Sequence, residues 1–326
     1  MHKGTLDRFS LPTLSPAPTI ARHNQPPQGA KKEEFAMNAA GFIGVGAMGA
    51  EMAGHAAKAG FIVHAHDPDP EAAANAARKG AKICPSLAEM ARLADVFVVM
   101  VATDAQSESV VNDLLACGLA LGATIVIAAT NHPKTMVTLG EKCRAAGVGF
   151  VDAPVCYGLQ GAKQGALISL CGGTAEDIAR ITPLLMSYSS SVEHLGEIGC
   201  GQIGKTCNNM MHWAACVANY EVLALAKSCG IDAQAMRETL LKCPARNTTL
   251  ERWDTTRFTW HQKDMDVALD LSQMAGLALP LFGAVDQLVK RLGPDLVRQL
   301  LHEERASYLG QEIPVTPLSQ LAKSSL

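Results

Sequence analysis

Long apolar runs are missing from this 326-residue chain. The longest, roughly Ala116 to Thr130, is interrupted by glycines and falls short of the 18 or so residues that a membrane-spanning helix needs. Paired cysteines are missing too. The ten cysteines are scattered with no C-x-x-C, which removes support for a zinc site or a disulfide framework and leads us to expect the reduced thiols of a cytoplasmic protein. The ten histidines form no run or paired ligand motif, so no metal is expected. A charge excess of one sign is also absent. Lys and Arg number 28 against 31 Asp and Glu, a net charge of −3, which offers no electrostatic footprint for nucleic acid. Aromatic residues are scarce at 5% and charged ones at 18%, whereas 48% of the chain is hydrophobic. That balance suits a sizeable core and a length sufficient for two ordinary domains.

Glycine, by contrast, is placed with a pattern. Gly41-Phe-Ile-Gly44-Val45-Gly46-Ala47-Met48-Gly49 follows an apolar strand signal, precedes an Ala-rich helical stretch, and is followed about twenty residues on by Asp67 at the end of a second strand. This order fits a dinucleotide fold. Gly44 permits a tight turn, Gly46 lets the backbone approach a pyrophosphate, and Gly49 lets the helix pack close to the strand. The helix N-terminus then offers N–H groups and a positive dipole end to the phosphates. Asp67 can accept hydrogen bonds from ribose hydroxyls and would repel a 2′-phosphate. Pro68 adds no positive charge, so NAD is expected ahead of NADP.

Strand signals fall at Phe42–Val45, Ile62–His66, Val96–Val101, Thr124–Ala128, Gly149–Asp152 and Leu167–Cys171, with helical stretches between them. This alternation predicts an α/β fold with a parallel, doubly wound Rossmann sheet. After Gly199 the signals are helical only, beginning with a long apolar helix from Lys205 to Cys229. The expected organisation is therefore a proline-interrupted disordered extension over 1–37, a dinucleotide-binding domain over 38–199, an all-helical substrate and dimerisation domain over 200–310, and a loose polar tail over 311–326.

Two further stretches carry chemistry. In Gly199-Cys-Gly-Gln-Ile-Gly204-Lys205-Thr-Cys-Asn208-Asn209, the glycines are expected to lead into the helix, placing Lys205 in its first turn beside the positive dipole end. A cation there is disfavoured, which is what a lysine general acid/base operating near neutral pH needs. Asn208 and Asn209 lie next to Lys205 on one helical face. The same spacing also fits a lysine reaching to solvent beside two polar residues. The run Asp152-Ala-Pro-Val-Cys156-Tyr157-Gly158-Leu-Gln-Gly161-Ala-Lys-Gln-Gly165 follows a strand. It therefore sits at a carboxyl edge, where open α/β sheets bind ligands, and its backbone N–H groups can face a carboxylate. An ordinary Gly-rich connection reads the same way.

Taken with Lys263-Asp264 and Ala268-Leu269, these stretches resemble, in order, four blocks of the β-hydroxyacid dehydrogenases, the family of 3-hydroxyisobutyrate dehydrogenase and tartronate semialdehyde reductase. The resemblance covers roughly residues 38 to 305. It implies Lys205 as general acid/base, Asn208 or Asn209 as substrate-positioning groups, Lys263 reaching the cofactor from the helical domain, Thr130 near the nicotinamide ribose, and the loop from Val101 passing beneath the cofactor. It also implies a small hydroxy acid or semialdehyde as substrate and a homodimer or homotetramer. The chain departs from the family at Cys156-Tyr157-Gly158, where Ser-Gly-Gly is usual: a hydroxyl becomes a weak thiol donor and a glycine becomes a bulky phenol. Cys156, Tyr157, Gly158, Lys205 and Asn209 are thus the expected substrate-binding residues. Arg246 is a candidate for a carboxylate, or simply a surface arginine. Alternative readings are an NADP-dependent semialdehyde or imine reductase of the same superfamily, or a non-catalytic dinucleotide-binding protein. Lys205 speaks against the imine reductases, and Lys205 with Lys263 against the last.

Overall fold

A computed structural model of the chain describes residues 38–316 and residue 320. The expected extension over 1–37, and the tail at 317–319 and 321–326, lie outside the described residues.

The first half alternates as predicted. Strands β1 (Ala39–Ile43), β2 (Ile62–His66), β3 (Lys82–Ile83), β4 (Val96–Val99), β5 (Thr124–Ile127) and β6 (Gly149–Asp152) are separated by helices α1 (Gly49–Lys58), α2 (Pro70–Arg78), α3 (Leu87–Met90), α4 (Asp104–Ala116) and α5 (Pro133–Ala145). The six strands pair in parallel in the order β3-β2-β1-β4-β5-β6, the order of a dinucleotide-binding sheet. Beyond β6 the sheet is mixed. A short strand β7 (Val155–Cys156), helix α6 (Gly158–Gln164), strand β8 (Leu167–Gly172), helix α7 (Ala175–Leu185) and strand β9 (Ser189–Gly196) complete it. Strand β8 runs antiparallel to both β6 and β7 and parallel to β9. The two-residue strands carry too short a pattern to stand out in the sequence, and β9 opens on three consecutive serines and holds only two apolar residues, Val192 and Leu195.

The uninterrupted apolar run of β4 is explained by its place in the sheet. Val96 and Val98 join Phe42, Val63 and Val126 in the core on one face, while Phe97 and Val99 join Ile43, Ile125 and Ile127 on the other. A strand covered on both faces needs no polar side.

The second half is helical: α8 (Cys200–Ser228), α9 (Ala233–Leu240), α10 (Thr248–Glu251), a single 3₁₀ turn at Trp253–Thr255, α11 (His261–Met274), α12 (Pro280–Val289) and α13 (Pro294–His302). A third core gathers Trp213, Tyr220, Trp253, Val289 and Leu300 around α8. Two of the expectations here are corrected. Residues 311–316 are not a loose tail. Strands β10 (Ser307–Tyr308) and β11 (Gln311–Glu312) form a hairpin, and Thr316 N donates to Ser228 O at 2.8 Å. The long helix starts at Cys200 rather than Lys205. Gly201 and Gly204 lie inside it because a Cβ at Gly201 would stand 2.3 Å from Leu170 O, and one at Gly204 would stand 2.3 Å from Leu195 Cδ1. These glycines let a helix lie close on the sheet, so they are packing residues where the sequence suggested a turn.

Candidate active site

The glycine turn has the shape a dinucleotide needs. Gly44 has φ +82°, and a Cβ there would meet Met100 O at 2.5 Å and Val101 Cγ1 at 3.0 Å. Val101 therefore packs under the turn. A Cβ at Gly49 would stand 2.0 Å from Gly44 O, yet one at Gly46 would meet nothing within 4 Å. The chain is thus closed behind Gly44 and Gly49 and open in front of Gly46, where a pyrophosphate would approach. No side chain caps the N-terminus of α1 at Met48, so its first N–H groups remain oriented for an anion. Val45 N donates to Asp67 Oδ2 at 2.8 Å, and Asp69 N to Asp67 Oδ1 at 2.9 Å. The carboxylate expected to receive the ribose is thereby held beside the turn. Gly46 and Ala47 are exposed, Met48 and Asp67 partly so, and the Val45 side chain packs in the core beneath them; the residues present fit the cofactor.

Asp152, at the end of β6, organises the opposite edge. Its two oxygens accept from Gly199 N at 2.6 Å and Gln202 N at 2.8 Å. These are the turn before α8 and its first turn. Burial pushes this carboxyl up to about 6 against the opposing pull of those backbone hydrogen bonds. Gln202, fully buried, spans the next gap: its amide donates to Ala129 O at 2.8 Å, and Asn131 N donates to it at 3.0 Å. The loop after β5, which carries Thr130, is thus tied to the start of α8.

Lys205 follows one turn deeper than expected. The helix dipole acts within the first turn and therefore does not account for its role. The half-buried Lys205 reaches over β7 to within 4.0 Å of the Cys156 Sγ. Burial raises the Cys156 thiol against the lowering effect of the Lys205 charge, so the partner is a neutral thiol. On the helical side stands Asp264, half-buried, which accepts from Trp213 Nε1 at 2.9 Å. Burial raises its carboxyl, while the Trp213 hydrogen bond, the Lys205 charge, a hydrogen bond from Asn209 and the Lys263 charge oppose the rise. Lys205, Asn209, Asp264 and Lys263 therefore form one polar cluster. Asn208 is exposed and donates to Asn209 Oδ1 at 3.0 Å, steadying its neighbour from outside. Burial, helped by the Lys205 charge, depresses the His212 imidazole to about 4, and His212 shares a 2.9 Å hydrogen bond with Thr249 Oγ1.

Lys263 closes the cleft from α11. Its Nζ donates to Thr130 O at 2.7 Å and Ala102 O at 3.4 Å, on the loops that the resemblance sets near the nicotinamide ribose and beneath the cofactor. His132 and Asp270 add a cross-link at 2.9 Å.

The residues that replace Ser-Gly carry a visible cost. Tyr157 has φ +79°, a backbone that glycine adopts freely and that costs another residue roughly 1–2 kcal/mol. Its ring lies under the Arg252 guanidinium, with 5.3 Å from the carbon to the centroid. Arg246, the arginine the sequence suggested for a carboxylate, is exposed; the arginine at this place is Arg252. Asp152, Gln202 and Asp264 are site residues that the sequence pattern does not mark. Asp152 and Asp264 were legible only as members of blocks, since their hydrogen-bond partners lie 47 and 51 residues away in the chain.

Two family models match the chain. That of the NAD binding domain of 6-phosphogluconate dehydrogenase covers residues 39–196, and that described as the NAD-binding of NADP-dependent 3-hydroxyisobutyrate dehydrogenase covers residues 199–308. The mitochondrial 3-hydroxyisobutyrate dehydrogenase of Drosophila melanogaster is 31% identical over 238 residues, 71% of either chain. An NAD-dependent L-serine dehydrogenase of Pseudomonas aeruginosa is 30% identical over 212 residues, 64% of this chain and 71% of that protein. Among solved structures, the Mycobacterium tuberculosis 3-hydroxyisobutyrate dehydrogenase with L-serine superposes with a TM-score of 0.73 at 25% identity, covering 82% of this chain and 99% of that one. An imine reductase from a Pseudomonas species, at 18% identity and a TM-score of 0.57, shares the fold alone.

Proposed function

Since the chain belongs to the β-hydroxyacid dehydrogenase family and is an NAD(P)-dependent oxidoreductase acting on CH–OH groups, we propose that Lys205 is the general acid/base of its reaction and that NAD is the preferred cofactor. The bound nicotinamide supplies the hydride acceptor. The Gly44–Gly49 turn and the α1 N-terminus hold the pyrophosphate, Asp67 the ribose, and Val101, Thr130 and Lys263 the face nearer the nicotinamide. Cys156, Tyr157 and Gly158 bound the substrate on the sheet side. Lys205 takes the hydroxyl proton as hydride leaves the same carbon, and returns it in the reverse direction. Asn209, held by Asn208 and Asp264, positions the hydroxyl.

The observation that carries this reading is the placement of Lys205 between Cys156 of the substrate turn, 4.0 Å away, and the Asp264–Asn209–Lys263 cluster. The preference for NAD rests on Asp67, which would face a 2′-phosphate as a like charge, and on the absence of a basic residue in Pro68-Asp69-Pro70. We propose further that the protein works as a cytoplasmic homodimer or homotetramer. Its ten cysteines are free, which suits a reducing compartment. No helix among the described residues is long and apolar enough to cross a membrane.

Initial rates with small hydroxy acids, followed through the reduced cofactor with NAD and with NADP, test this reading. Lys205→Ala should lower kcat by about a hundredfold or more while dinucleotide binding persists. Full turnover in that variant would remove Lys205 from the chemistry, and a higher kcat/KM with NADP would reverse the assignment of Asp67.

A further inference from the structure

Tyr157 and Arg252 are left over by the chemistry at Lys205. Tyr157 keeps a left-handed backbone although 45% of its surface is exposed, so burial in the core does not explain a large ring where glycine would sit unstrained. What the ring does touch is the guanidinium of Arg252, 5.3 Å from its centroid, reaching over from the turn after α10. A guanidinium stacked on a ring keeps its N–H edge available for another partner. Arg252 has no ion pair among the described residues. The acid two positions on, Asp254, is taken by Arg237 at 2.5 Å.

We infer that Arg252, held on the Tyr157 ring, binds a second acid group of the substrate, which is therefore a hydroxy dicarboxylate. The inference rests on the dehydrogenase reading above. Position distinguishes the two acid groups. The Cys156–Gly158 turn lies against Lys205 and receives the group next to the reacting carbon. The guanidinium stands one aromatic side chain further out, on a different element, and meets a carboxylate several bonds from the hydroxyl. Its paired N–H donors match the two oxygens of a carboxylate, and its half-buried setting strengthens that pairing relative to open solvent. The bulky residue at 157 thereby becomes a specificity determinant: it presents the arginine while narrowing the space that a glycine would leave.

The test compares 3-hydroxyisobutyrate with 2-(hydroxymethyl)butanedioate, which carries one carboxylate in place of a hydrogen, and with 2-(hydroxymethyl)pentanedioate, one methylene longer. In the wild type, at least one diacid should show a KM about tenfold or more below that of the monoacid. Arg252→Gln should collapse the diacid-to-monoacid ratio of kcat/KM by about tenfold, mainly through the diacid KM, with Arg252→Lys in between. Tyr157→Gly should also weaken the diacid preference although Arg252 is intact. A wild type indifferent to the second carboxylate, or an unchanged ratio in Arg252→Gln, overturns the assignment and leaves the dehydrogenase reading standing. No turnover of any hydroxy acid by a wild type that still binds reduced cofactor removes that reading, and the inference with it.

Discussion

Asp152 does at the residue scale what no surface charge could. Two backbone N–H groups at the start of α8 end on its oxygens, and the helix that carries Lys205 is aimed by that grip. An asparagine there would set its amide N–H₂ against one of the two donors, leaving a buried N–H unpaired, so Asp152→Asn should lose about 1–3 kcal/mol of stability. Activity should fall with it as Lys205 is displaced. The carboxyl also predicts a pH dependence. Its folded value, about 6, lies above the ordinary 3.8. Its contribution to stability is therefore fully present at acid pH, below the unfolded value, and is lost as pH rises through about 6. The change amounts to about 3 kcal/mol between the two plateaus. Denaturant unfolding of wild type and Asp152→Asn across this range should show the wild type losing ground relative to the variant as pH rises. A constant difference would show that burial does not perturb this group as described.

Among elements, the turn from β1 into α1 separates packing glycines from a binding glycine. At Gly49 a methyl group would collide with Gly44 O, whereas at Gly46 it would project into open space. Gly49→Ala should cost about 1–3 kcal/mol of stability through overpacking. Gly46→Ala should melt like the wild type but bind dinucleotide about tenfold more weakly, about 1.4 kcal/mol. Calorimetric melting beside cofactor titration separates the two, and a Gly46→Ala protein with unaltered affinity would place the pyrophosphate elsewhere. This element was readable from the sequence because the strand, turn and helix follow one another within about twenty residues and the approach of Gly49 to Gly44 is local, whereas the closure of Gly44 against Met100 and Val101 is not. The start of α8 is hidden from the sequence for the opposite reason. Gly201 and Gly204 look like turn residues in a one-dimensional pattern, and only Leu170 and Leu195, brought against them by β8 and β9, make them helix-packing residues.

For the whole molecule, the long α8 leaves apolar side chains uncovered. Met211 is 68% exposed and Leu225 66%, with Val222 beside Leu225 on the same side; spacings of 11 and 3 residues bring all three onto one stripe. A second copy of the chain is the partner we propose for that stripe. Light scattering should report a dimer or tetramer for the wild type and a smaller species for Met211→Glu/Leu225→Glu. A monomeric wild type would end this reading. The helical half also closes over the nucleotide-binding half through Lys263 on the Thr130 and Ala102 carbonyls and through His132–Asp270. Those residues come from loops and helices more than 130 positions apart in the chain.

What the sequence determined by itself was whatever depends on neighbours along the chain: the alternation of strands and helices, the glycine turn with Asp67 after it, the helical second half, and the order of blocks that includes Lys205 and Lys263. Tertiary structure decided the antiparallel edge of the sheet, the true start of α8, the burial of Asp152, the polar cluster around Asp264, and the meeting of Tyr157 with Arg252. The physical reason is that periodicity and turn chemistry act over a few residues, while burial, charge pairing and close helix–sheet contact depend on segments that meet only when the chain has folded.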